Sequence, residues 1–121
     1  MSQIIIDYRF TSLNDYISAE RTNRHIAAKI KRDETEIARV VAKEKLDNGF
    51  PAVKVYPVDV TFLWFRKDAR TDPDNIAFGE KFILDGLVLA GVLKGDGWYQ
   101  IANIRHEFTL SNRDYVIVDI D

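Results

Sequence analysis

The sequence predicts an α+β fold, one domain in which two helices pack on a mixed β-sheet. Three observations lead there. The apolar pattern switches between alternation and a helical repeat in the order β-α-β-α-β-β. No Pro/Gly/Ser-rich linker or internal repeat divides the 121 residues, a length that suits one domain burying roughly two-thirds of its unfolded surface. With 46% apolar and 12% aromatic residues the chain supports an ordinary core and does not read as disordered.

Ile4 to Phe10 reads as the first strand, with Ile4, Ile6, Tyr8 and Phe10 on one alternating face. A polar turn at Thr11-Ser12-Leu13-Asn14-Asp15 follows. From about Thr22 to Asp47, Ile26, Ile30, Ile37 and Val41 fall on one helical face, which is expected to enter the core. Ala27, Ala28, Ala38 and Ala42 favour the same helix by propensity, and Gly49 and Pro51 end it. Val53 to Phe65 returns to strand character and carries apolar residues on both faces near its end, as a central strand does, while Pro57 signals an edge, a bulge or a late start of pairing. Arg66 to Asp72 is a charged loop, a second helix is expected from Pro73 to Ala90, and Gly91 is its stop. After the turn-rich Lys94-Gly95-Asp96-Gly97, strands at Tyr99–Leu110 and Tyr115–Ile120 are expected to pair as a hairpin across Ser111-Asn112-Arg113-Asp114.

Composition removes several function classes. The absence of cysteine excludes disulfides, thiolate zinc sites and cysteine nucleophiles. No apolar run approaches the roughly 20 residues of a membrane span, and Met1-Ser2-Gln3 opens no signal-peptide pattern. The expectation is a cytoplasmic protein without membrane contact. A net charge of -2 speaks against a globally cationic nucleic-acid binder but leaves local patches open.

The densest polar constellation is Asp72-Pro73-Asp74-Asn75, followed by Lys81, Asp85 and Asp96. Hard divalent cations such as Mg²⁺ take a few carboxylate oxygens and retain waters. On one continuous helix, Asp74, Lys81 and Asp85 fall within roughly 20° of one another. The structural alternative is plain. Asp72 is a suitable N-cap, Pro73 a suitable first residue, and Asp74 is favoured by the helix dipole. Lys81 and Asp85 then form only a solvated i,i+4 pair. Spacing alone favours this structural reading.

The whole order shifts that balance. Asp72-Pro73-Asp74-Asn75, Lys81-Phe82-Ile83-Leu84-Asp85-Gly86-Leu87, Ala90-Gly91-Val92 and Asp96 together resemble the RusA family of Holliday-junction resolvases. Asn14-Asp15-Tyr16 is similar to an Asn/Tyr-containing turn of that family, and the element order matches over nearly the whole chain. The resemblance implies a Mg²⁺-dependent endonuclease, with Mn²⁺ as the alternative ion, that cuts four-way DNA junctions as a homodimer in recombination and repair. It implies Asp72, Asp74 and Asp96 as metal ligands and catalytic residues, Lys81 as the essential lysine, and Asn75 and Asp85 as supporting residues. Asn14 and Tyr16 would face DNA. A phage or prophage setting fits such an enzyme. Two departures stand out: three extra residues separate Asn75 from Lys81, and Gly95 replaces the first acid of a late pair, leaving Asp96 alone.

The charge distribution adds an independent point. Arg21, Arg24, Lys29, Lys31 and Arg32 occur without an intervening acid, and Arg66, Lys67 and Arg70 lie in the loop entering Asp72. Such local basic groups suit phosphate contacts, with Arg70 the foremost candidate because it lies beside the acidic motif. His25 and His106 read as surface or interface residues, and Trp64 and Trp98 as core. Three functions remain open: a junction-resolving nuclease, a branched-DNA-binding relative without efficient cleavage, and an interaction domain whose Asp-Pro-Asp only starts a helix.

Overall fold

The computed structural model describes residues 2–121; Met1 lies outside them. Strand β1 (Ser2–Ile6) leads to helices α1 (Leu13–Thr22) and α2 (Arg24–Asp47). Strand β2 (Val58–Arg66) precedes the short α3 (Pro73–Ala77) and α4 (Glu80–Ala90), and strands β3 (Ile101–Leu110) and β4 (Tyr115–Ile120) complete the chain. The strands form one mixed sheet in the order β1-β4-β2-β3. The domain is α+β, as the periodicity predicts.

The sheet has one buried face. Rows of apolar side chains cross it in register: Ile4 with Val118 and Phe62, and Ile6 with Val116 and Trp64. Every second residue of β2 and β4 is buried while its neighbours are half-buried, which is the signature of a sheet covered by helices on one side. Phe82, Ile83 and Leu87 of α4 complete this core.

Sheet order overturns the expected terminal hairpin. β3 runs parallel to β2, and β4 pairs antiparallel with the opposite edge of β2. The crossover through α3 and α4 gives β3 its parallel sense. β2, apolar on both faces, takes the centre, so residues 111–114 pass over its end instead of making a tight turn. Ser111 N–H donates to the Arg66 carbonyl (2.8 Å) and Lys67 N–H to Asp114 Oδ1 (3.0 Å), which anchors that passage. Ser-Asn-Arg-Asp lacks the Asn-Gly type of signal that closes a two-residue hairpin.

Several local expectations are also corrected. β1 ends at Ile6, and the expected turn at 11–15 begins helix α1, with Ser12 Oγ accepting the Asp15 N–H. Asn23 separates α1 from α2 by adopting an extended conformation and capping the His25 N–H (2.8 Å). The seam of α2 is its alanines, not its isoleucines: Ala27, Ala38 and Ala42 are buried, whereas Ile26 is 47% exposed and Ile30, Ile37 and Val41 flank the core. A close crossing with α4 explains this, because Gly86 lies directly against Ala38 and leaves no room for a larger chain. The second helix is likewise split at Phe78-Gly79, where a Cβ on Gly79 would lie 2.9 Å from both Phe10 and Trp64.

Glu34 fastens the segment after β1 to α2. Its buried carboxylate accepts the Thr11 N–H (2.7 Å) and the Thr11 hydroxyl. Burial pushes the Glu34 carboxyl above the usual carboxylate range, against the pull of the Thr11 donors. Glu34→Ala leaves two half-buried donors without their acceptor and is expected to cost about 1–3 kcal/mol. Chemical denaturation of the two proteins measures that difference.

Candidate functional site

β2 delivers the polar cluster. Its inward-facing residues run Val60, Phe62, Trp64 and then Arg66, so alternation that buries three apolar side chains also carries a guanidinium inward. Arg66 is 6% exposed and makes no hydrogen bond or ion pair through its side chain among the described residues. Burial lowers its pKa, the like charge of Arg9 adds to that effect, and Asp114 and Asp68 act in the opposite sense.

The following loop is held by its own acids. Asp68 Oδ1 accepts the Arg70 N–H (3.1 Å), and Asp114 accepts both Lys67 N–H (3.0 Å) and Arg9 Nη1 (3.2 Å). Burial alone raises the Asp114 pKa, but the Lys67 N–H and Arg9 outweigh it and hold the carboxyl below its usual range. A depressed folded pKa contributes stability above the unfolded value of about 4, and that contribution is lost as pH falls through the folded value. Asp114→Asn is therefore expected to lower stability at pH 7 by about 1–3 kcal/mol. In melting scans across pH, the gap to the wild type should narrow below about pH 4.

Asp72 then occupies the N-cap position of α3, with Pro73 at the start of the helix. Its backbone is extended, as a cap requires, yet its side chain makes no capping hydrogen bond. The Asp74 and Asp96 carboxylates are also without hydrogen bonds or ion pairs among the described residues. Asp72 and Arg66 line one open pocket of about 210 Å³, together with Trp64, Phe108 and Leu110. Asp74 is exposed beside it in sequence and Asn75 is half-buried.

The other expected site residues lie elsewhere. The expected single helix is divided, so Asp74 lies on α3 while Lys81 and Asp85 lie on α4, joined at 3.2 Å. Asp85 and Asp96 line a second groove of about 750 Å³ with Lys31, Arg32, Val88 and Leu89. Asp72 thus lines one pocket and Asp96 another. Among the described residues, no group of three or more acidic or histidine side chains is placed to share one cation.

The basic residues are mostly open to solvent. Arg21, Arg24, Lys29, Lys31, Arg32, Lys67 and Arg70 are exposed, with Lys29 and Arg32 both reaching Asp33 (2.5 and 3.5 Å). Arg66 is the buried exception. Asn14 is exposed, whereas the Tyr16 ring packs on Phe78 and Phe82, with centroids 5.2 and 5.9 Å away. Trp98, expected in the core, is 95% exposed.

One polar arrangement has no signal in the sequence. Trp64 Nε1 donates to His106 Nδ1 (2.9 Å), and His106 Nε2 lies 3.5 Å from Glu80 Oε2. These residues come from β2, β3 and α4, and only the parallel register that pairs Phe62 with His106 joins them. Among the described residues, no helix is long and apolar enough to cross a membrane. No protein-family model matches the chain, and no curated protein matches it in sequence.

Proposed function

We propose that this chain is a Mg²⁺-dependent, structure-selective endonuclease that cleaves phosphodiester bonds at four-way DNA junctions. The observation that carries the reading is Asp72: it occupies a cap position without capping, and it lines a pocket shared with the buried, unpaired Arg66. A carboxylate whose only task was to start α3 would spend its oxygen on the helix N–H groups.

The donor chemistry fits the ion. Carboxylate oxygens without internal partners suit a hard cation, and Mg²⁺ is commonly held by one or two carboxylates, with waters and substrate phosphate completing its shell. Asp72 and Asp74 would hold it; Mn²⁺ accepts the same oxygen ligands. The resemblance to the RusA family also gives Asp96 as a ligand, although Asp96 lines the α2–α4 groove. When bound, the ion supplies an acidified water and neutralises charge on the phosphate. Lys81 would orient the phosphate as a compact point charge, its position set by Asp85, with Asn75 supporting the start of α3. Arg70 and Lys67 would hold the DNA backbone from the loop, and Arg21, Arg24, Lys29, Lys31 and Arg32 from α1 and α2. A homodimer would present two such sites to two strands.

A labelled four-way junction, incubated with the protein in Mg²⁺ or in chelator, tests the reading. Paired nicks in Mg²⁺ and none in chelator are expected. Retarded but uncut DNA would replace this reading with a branched-DNA-binding protein, and no retention at low salt would leave an interaction domain. Mg²⁺ is also expected to raise the melting temperature, and Asp74→Asn to remove most of the rise; no Mg²⁺-dependent rise would count against the carboxylate site.

A further inference from the structure

Arg66 is held at its backbone, while its side chain has no hydrogen bond or ion pair among the described residues. Its carbonyl receives the Ser111 N–H at 2.8 Å, and its strand register is fixed opposite Leu110. The side chain is therefore committed to the buried face. Burial strips an ion of much of its hydration, which a partner can repay, and buried charges are as a rule paired. No Arg66 nitrogen is itself fully enclosed, so the guanidinium stays open to a ligand. The nearby acids bond elsewhere and act on Arg66 only from a distance: Asp114 receives Arg9 and the Lys67 N–H, while Asp68 receives the Arg70 N–H. Neither lies within ion-pair distance of Arg66, which lines the pocket of about 210 Å³.

That space selects the class of ligand. It is smaller than the roughly 300–1,000 Å³ of sites for drug-sized molecules. At about 30 Å³ per liquid water it matches about seven waters. A small anion fits, and the planar fork of a guanidinium matches the paired oxygens of a phosphate. We propose that this pocket is a phosphate subsite and that Arg66 is the group that receives the phosphate oxygens. The inference rests on the proposed function only for the source of that phosphate, the DNA backbone. Asp72 lines the same pocket and repels an anion until its charge is neutralised, so phosphate and Mg²⁺ should each tighten the other's binding.

Trp64 also lines the pocket and reports on it. The chain has two tryptophans, so Trp98→Phe leaves Trp64 as the only indole. Inorganic phosphate, titrated in chelator at constant ionic strength, is expected to change Trp64 emission saturably with a midpoint in the millimolar range. Arg66→Gln should weaken this response by about tenfold or more, and Arg66→Lys by less. In ¹⁵N-labelled wild type, phosphate should move the Arg66 Nε–H and Trp64 indole resonances, which decides the matter even if the Arg66 variants fail to fold. No saturable response, a response that Arg66→Gln leaves intact, or resonances that stay still would overturn the subsite. Short single-stranded DNA in chelator should compete with phosphate; phosphate binding without that competition would overturn DNA as the source. Mg²⁺ tightening of phosphate in wild type but not in Asp72→Asn supports the coupling. Equal affinities with and without Mg²⁺ would overturn the coupling and the Asp72 cation reading, and leave Arg66 as a phosphate site.

Discussion

Gly86→Val is expected to destabilise the domain by about 3 kcal/mol or more, the upper range of overpacking costs. A Cβ at Gly86 would lie 2.5 Å from Ala38 Cβ, 2.7 Å from the Arg39 nitrogen and 2.8 Å from the Thr35 carbonyl oxygen. Two of those neighbours are backbone atoms of α2, so no rotamer change relieves the clash and the helices must separate. Glycine in a helix costs about 1 kcal/mol relative to alanine, so a substitution on an open face would be stabilising. Here the steric term wins because the contact lies at the centre of the α2–α4 crossing. A melting-temperature drop of roughly 10 °C or more is expected, with Gly86→Ala intermediate. Unchanged melting in Gly86→Val would mean that the two helices do not cross this closely.

Asp72→Ala separates structure from chemistry. An N-cap aspartate that bonds its helix loses about 0.5–2 kcal/mol on truncation to alanine. Asp72 makes no such bond, so the variant's melting temperature in chelator should stay close to that of the wild type. Its Mg²⁺-dependent cleavage should fall by two orders of magnitude or more, on the order of what removing one preorganised charge-stabilising group costs an enzyme. A variant that loses stability but keeps cleavage would return Asp72 to an ordinary helix start.

Much of the fold is legible because its causes are local. Alternation in Val58–Arg66 and Tyr115–Ile120 marks strands with one buried face, and Gly91, with φ +92, ends α4 where the sequence places the stop. What is not legible depends on distant partners. Nothing within Ile26–Val41 reveals that the alanines form the seam, since that follows from Gly86 on another helix. The placement of β3 beside β2 follows from competition among strands for the central position, which short-range turn signals do not encode. At the candidate site, Asp72 and Asp74 stand out as residue types, and Arg66, Lys67 and Arg70 as a basic cluster in which the sequence favours Arg70. That Arg66 is buried and Arg70 exposed follows from strand phase. The separation of the Asp72 pocket from the Asp96 groove is a tertiary outcome, fixed by the break at Gly79 and the path of the chain after α4. The Trp64–His106–Glu80 contacts belong to the same class.

The most direct measurement is the single-turnover cleavage rate of a labelled four-way junction in Mg²⁺, wild type against Asp72→Ala, at matched folded concentrations. Symmetric nicking by the wild type is expected, with a loss on the order of a hundredfold in the variant. Equal rates in the two proteins, or no nicking by the wild type at any Mg²⁺ concentration, would rule out an Asp72-held ion as the source of cleavage.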